Sequence, residues 1–450
     1  MQILSNILAF IFALGVIVFV HESGHYLVAK AFGVRVLTFS LGFGRSLWSM
    51  RRGDTEYRVC WLPLGGYVSF AGQDPSERSS NPREYQNQAR WRRVLILVAG
   101  PAMNVVLSIV LVTVVFATGV AVGDPDELPA VLGAVEEGGA AERSGLQTTD
   151  RIVRIDGKEV SRWQEFSFAV LTSPERPLEL DYERIVEGGS PERGTVELNP
   201  DKAERDEVGL AGVYPLVMIG EVIEGSAAEE AGFREGDAVL SIDGDPIRGF
   251  SDLRDKVIDR PDQELVAEVL RGEQRLVVSV VPRRNADGQV MIGVGQTVRE
   301  YALVEALSES MRFNAEVTVQ ILALIRKLFE RRISLKASLG GPFEIAAVSG
   351  EAARQGFRSL FLIMAFISIN LFIFNLLPIP ILDGGQIFIL LVESTLRRDL
   401  SLRLKELITQ VGLVMIVMLM AMALYFDLSK NLPSLLSPGA ESGAETPLKD

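Results

Sequence analysis

Four long apolar segments, and the residues that end the first of them, hold this chain to a narrow set of folds. Residues 3–20 are mostly apolar and continue to about Phe32, long enough to cross a bilayer as a helix. The run leads straight into His21-Glu22-Ser23-Gly24-His25. Residues four apart share one helix face, so His21 and His25 can grip one metal ion with Glu22 beside them. H-E-x-x-H is a zinc-protease signature. The chain has 2 histidines, and both are in this stretch. A cleaved signal peptide is the alternative reading of the segment. It lacks a basic leading region, and its helix runs on into the histidine pair.

Further apolar segments lie at 94–121, 361–393 and 404–426, and the middle of the chain is polar and acidic. The pattern predicts a multi-pass α-helical membrane protein with four transmembrane helices and a soluble insert. Its expected parts are a first transmembrane helix (1–33), a β-rich connection (34–93) and a second transmembrane helix (94–121). The insert (122–298) follows, then an amphipathic connecting region (299–360) whose stretch Val319–Phe329 suits a helix on the membrane surface. The third transmembrane helix (361–393) is broken, the fourth spans 404–426, and 427–450 reads as a flexible tail. The connection holds strand formers separated by glycines, which predicts a membrane-associated β-hairpin or small sheet.

The insert repeats itself. Gly138-Gly-Ala-Ala-Glu-Arg-Ser-Gly145 to Asp156-Gly157 matches Gly225-Ser-Ala-Ala-Glu-Glu-Ala-Gly232 to Asp243-Gly244. Each unit reads as strand, short helix, turn, strand and Asp-Gly turn, which resembles the PDZ domain. Two α+β PDZ-like domains are expected, at 122–214 and 215–298, with Pro215 at the boundary. Thr149 stands where the second unit has Gly236, so the turns are expected to differ.

Charge sets an orientation. The 34–93 connection carries about ten Lys/Arg against about five Asp/Glu. The link between segments three and four is basic as well, at Arg397, Arg398, Arg403 and Lys405. The positive-inside rule then puts both termini and the insert outside, the periplasmic side of a cell inner membrane. Counted along the helices, His21 and the break in segment three fall at similar depth, roughly 27 and 26 Å from the outer face. The net charge of -13 argues against nucleic-acid binding. The single cysteine, Cys60, permits no intrachain disulfide.

A catalytic zinc site has three protein ligands and an open position. With no third histidine, Asp383 is the best candidate, because an ionisable residue in an apolar run is costly and functional by default. Cys60 reads better as a small core residue. Asp383 follows Asn375-Leu-Leu-Pro378-Ile-Pro380-Ile-Leu382. Pro378 and Pro380 disfavour regular helix, and such backbone at membrane depth must be buried or line a cavity. Glu22 could act as general base on zinc-activated water. The Asn375 amide could bind the substrate backbone or an oxyanion, or make a helix-packing bond. Gly100 and Asn104, four apart in segment two, suit close packing and substrate approach. A substrate helix must unwind before cleavage, and the strand-rich 34–70 region could hold it extended by β-addition.

Together these motifs resemble the site-2 protease family of intramembrane zinc metalloproteases, in particular the bacterial branch with tandem PDZ domains that cleaves anti-sigma factors. The resemblance implies one Zn(2+) per chain held by His21, His25 and Asp383, with Glu22 catalytic and Asn375 in substrate binding. It implies regulated intramembrane proteolysis within the lipid bilayer, of a transmembrane substrate such as an anti-sigma factor, after an upstream site-1 protease has cut outside. Removal of remnant signal peptides is a second implied activity. Relatives often carry histidine where Gln386 follows Asp-Gly-Gly. A competing reading is a membrane adaptor whose PDZ pair binds exposed peptide ends over a silent metal site.

Overall fold

A computed structural model describes residues 2–73, 81–122, 128–184, 191–203, 209–272, 274–285, 288–330 and 340–436. The chain divides into two compact units. The first comprises residues 1–118, 301–323 and 339–450, and the second residues 119–300 and 324–338.

Helix α1 (Gln2–Ala31) opens the first unit, followed by strands β1 (Val36–Arg52) and β2 (Thr55–Phe70), then helix α2 (Arg90–Ala117). After the insert come α3 (Leu303–Phe329), α4 (Pro342–Gln355), α5 (Phe357–Leu376), α6 (Asp383–Leu396) and α7 (Leu402–Leu436). Among the described residues, four helices are long and apolar enough to cross a membrane: Leu4–Ala31, Arg90–Ala117, Phe357–Leu376 and Leu402–Ser429. Leu4, Leu8, Phe12, Phe19 and Leu27 point outward from α1, while Ala13 and Ile17 pack against Leu111 and Val112 of α2 and Met364 and Ala365 of α5. The buried positions include many polar residues: His21, Glu22, His25, Asn104, Ser108, Ser310 and Ser368. In a lipid solvent, polar groups turn inward to find partners and apolar groups face out at no cost.

Several boundaries move. Arg90, Arg92 and Arg93 form the first turn of α2 instead of ending the connection. The last helix runs on to Leu436, so the expected tail begins as helix; residues 437–450 lie outside the described residues. The amphipathic helix starts at Leu303. Its face is tied to α2 by polar bonds, with Ser108 Oγ donating to Asn314 Oδ1 at 2.5 Å and Thr113 Oγ1 lying 2.8 Å from Ser310 Oγ. These residues are all buried, so the helix packs by part of its polar face ahead of the stretch Val319–Phe329.

The β1–β2 hairpin folds back on itself. Phe39 pairs with both Val68 and Tyr57, and Leu41 with both Gly66 and Val59. The early half of β1 is thus flanked on each side by a half of β2. The far end exposes Leu47, Trp48, Met50, Trp61 and Leu62.

The second unit holds the repeat. Its entering and leaving strands, Val120–Val122 and Thr297–Arg299, pair antiparallel. In the first repeat, Arg151–Ile155 pairs with Leu178–Arg184, which pairs with Glu192–Leu198. In the second, Ala238–Ile242, Leu265–Arg271 and Gln274–Val280 pair in the same order. Each repeat closes its own core, one around Ile152, Phe166 and Leu180, the other around Val239, Leu253 and Ala267. The expected difference at the turns is absent: Thr149 takes φ 75° and Gly236 φ 87°. The fold requires the left-handed conformation there, and the first repeat adopts it without glycine.

Candidate metal centre

Three residues from two helices of the first unit converge on one point. Helix α1 presents His21 and His25 one turn apart, and α6 presents Asp383 at its first residue. Asp383 Oδ2 lies 3.3 Å from His21 Nε2 and 3.5 Å from His25 Nε2, and the two Nε2 atoms are 3.2 Å apart. One ligand atom from each of the three residues falls within 4.8 Å of the others. The donor chemistry, two imidazoles and one carboxylate, suits a zinc ion with a free coordination position.

The break between α5 and α6 explains how an aspartate reaches this depth. Helix α5 ends at Leu376, and Leu377 is already extended. The chain turns through Pro378 and Pro380, then restarts at Asp383. Two glycines make the turn fit: a Cβ on Gly384 would stand 2.3 Å from the Leu376 carbonyl oxygen, and one on Gly385 2.1 Å from that of Ile379. Gln386 closes the break by donating from Nε2 to the Pro380 carbonyl at 2.7 Å.

Helix α2 supports both histidines without supplying a candidate ligand. The Ile96 carbonyl lies 2.7 Å from His25 Nδ1. One turn on, a Cβ on Gly100 would stand 2.2 Å from His25 Nε2. Another turn on, the Asn104 amide is 3.2 Å from His21 Nδ1. Gly24 of α1 leaves room for the Ala99 carbonyl, which would stand 2.2 Å from an added Cβ. Only glycine allows so close a helix contact.

Glu22 is buried beside the histidines, with the backbone of Val68 against its carboxylate. Gly66 keeps β2 close, since a Cβ there would meet Glu22 Cγ at 3.3 Å. Asn375 is half-buried in the last turn of α5, and its side chain hydrogen-bonds to no described residue. Pro378 is exposed, and Pro380 backs onto Gly412 of α7. Cys60 is buried and free, 3.4 Å from Ser40 Oγ and outside the cluster. Beside Gln386 a cavity of about 630 Å³ opens, lined by Tyr85, Arg93, Glu393 and Lys405 among others.

Sequence reasoning misses three contributors: the Ile96 carbonyl, the Val68 backbone and the Asn104–His21 contact. The first two are main-chain groups and leave no mark in residue type. The third left a signal, a fully buried asparagine in an apolar helix, whose partner only the fold reveals.

A histidine pair and a half-buried carboxylate, gathered with a glutamate inside an apolar helix bundle, define a metallopeptidase of the membrane. The chain matches peptidase family M50 over residues 9–419 and belongs to that family. It is a zinc metalloprotease. A relative from Xylella fastidiosa named as a zinc metalloprotease is 31% identical, covering 94% of this chain and 99% of its own. Another under that name, from Ralstonia nicotianae, is 32% identical over 94% of this chain and 98% of its own. The regulator of sigma-E protease of Salmonella typhimurium is 30% identical over 96% of this chain and all of its own. Among solved structures, a PDZ domain from a Listeria monocytogenes protein overlaps 18% of the chain at 16% identity and a TM-score of 0.17, which carries no argument.

Proposed function

We propose that the chain hydrolyses peptide bonds within transmembrane segments, using one zinc ion held by His21, His25 and Asp383, with Glu22 as general base. The convergence of these three donor atoms at the level of a broken helix carries the reading. When bound, zinc polarises the scissile carbonyl and makes water a competent nucleophile near neutral pH. Glu22 takes the proton from the attacking water and returns it to the leaving amine. The Val68 backbone contact and the close approach of Gly66 hold that carboxylate in place. Asn375, its amide uncommitted among the described residues, binds the substrate backbone as the helix unwinds, and the Pro378–Pro380 turn shapes that cleft. Gly100 and Asn104 act from the side of the histidines.

The substrate is a single-span membrane protein of the anti-sigma-factor kind, already shortened outside by another protease; remnant signal peptides are a second class. The relatives named for sigma-E regulation support this choice. The two repeats are read as PDZ-like domains on the periplasmic side, with both termini, and the metal centre lies toward the cytoplasmic side. The exposed Leu47, Trp48, Met50 and Trp61 suit insertion of the hairpin into the bilayer. The outer half of β2, running past Glu22, can take up an extended peptide as an added strand.

Glu22→Gln in native membranes tests the mechanism. The variant should fold, retain zinc and accumulate uncut transmembrane fragments, identified by mass spectrometry. Cleavage at the wild-type rate would sink the assignment of Glu22 as base.

A further inference from the structure

We infer that Asn104 is a positioning residue for the metal centre, holding His21 in the tautomer and ring orientation that turn Nε2 toward the metal. The inference rests on His21 being a ligand. Both histidines point Nε2 inward, where the two atoms lie 3.2 Å apart and each within 3.5 Å of Asp383 Oδ2. A neutral imidazole that gives its Nε2 lone pair to a metal carries its proton on Nδ1. That N–H then needs an acceptor, and the acceptor fixes the ring.

His25 finds one in the Ile96 carbonyl, which can only accept. His21 has the Asn104 side chain, which can accept or donate. Asn104 is fully buried, so no solvent competes for the contact. With Nδ2 toward His21, Asn104 Oδ1 is buried with no partner. That orientation pairs with His21 protonated on Nε2, the atom the metal needs. Turning the amide over puts Oδ1 on the His21 Nδ1–H and frees Nε2. The oxygen and nitrogen of an amide are interchangeable in shape, so the turn displaces nothing.

The backbone around Asn104 adds a second anchor. Its carbonyl accepts a hydrogen bond from Ser368 Oγ of α5 at 2.9 Å. Asn104 therefore touches α1 through its side chain and, through its main chain, the helix that leads to Asp383. Ile96, Gly100 and Asn104 recur every fourth residue on α2, and each contacts a histidine ring. A residue kept only for packing would need the volume of asparagine and not an acceptor at this atom.

The test compares Asn104→Asp with Asn104→Leu in the purified full chain in detergent, reading zinc retention by chelator competition and total metal content. Aspartate offers an acceptor in either orientation; leucine has similar volume and none. Asn104→Asp should hold zinc near the wild-type level, and Asn104→Leu should lose roughly 10–100-fold in affinity. Circular dichroism should show equal helix content in both. Equal affinity in Asn104→Leu and wild type would overturn the inference, as would equal losses in both variants. His21→Ala separates the two readings. If it keeps zinc, His21 is not a ligand and the inference falls with that assignment; if it loses zinc while Asn104→Leu does not, only the role of Asn104 falls.

Discussion

The two units match their carboxylates in opposite ways. In the repeat unit, Asp150 is gripped on both oxygens by Arg184, at 2.7 Å each, and Asp237 by Arg271, at 2.7 and 2.8 Å. Each arginine also donates to a carbonyl at the end of the preceding short helix, Gly145 or Gly232. The arrangement is the same in both repeats, and the charge is closed off within the protein. In the membrane unit, Asp383 faces two imidazoles, and no lysine or arginine among the described residues pairs with it. A carboxylate matched by the protein's own cation is structural. One matched only by imidazoles, in a site where charge is costly, is arranged for a cation from outside.

Substitutions can break this contrast. Asp383→Asn should remove zinc and abolish cleavage while leaving the helices intact, as read by metal analysis and circular dichroism; retained zinc would place Asp383 among the structural carboxylates. Gly100→Ala should come next. Its methyl cannot coexist with the His25 ring, and a shift of about 1 Å at a catalytic group costs roughly 100-fold in rate. Measured kcat on a membrane substrate checks it.

Asp237→Asn should act locally, destabilising the second repeat by roughly 3 kcal/mol with zinc content unchanged. Hydrogen exchange over residues 215–298 reads this. Burial pushes the Asp237 carboxyl up, but the Arg271 guanidinium and the Arg234 amide outweigh it and hold it below the ordinary carboxylate value. A group depressed on folding contributes its full stability above its unfolded value and loses it as pH falls through the folded one. Protection of the second repeat should therefore decline below about pH 4, and Asp237→Asn should flatten that decline. Smallest of all, Gly236→Thr should cost about 1 kcal/mol, because Thr149 shows that the same turn accepts threonine at positive φ.

Much of the candidate metal centre was legible in the sequence because polar residues in apolar segments have to be explained. His21, His25 and Asp383 stand out against their surroundings, and the helix count sets them at one depth. The repeat was legible for a different reason: two copies of one pattern test each other. The hairpin's fold-back was not legible, because strand propensity does not say which half of β2 a residue of β1 will meet. Nor was the packing of α3. Ser310 and Asn314 lie before the amphipathic stretch Val319–Phe329, and residue type alone does not pair them with Thr113 and Ser108. The turn at Thr149 was misjudged because residue type weighed more than the demand of the fold.

The stripe Ile96–Gly100–Asn104 has a consequence for genetics. A screen for loss of activity should return alleles in α2 as severe as those in the histidine helix, although α2 offers no candidate ligand. At Ile96 the contact is made by the main chain, so its side-chain alleles should be mild and the damaging hits should fall on the two positions that follow. Read without the fold, such a cluster would suggest a second catalytic element. It would instead outline the mould in which the first is cast.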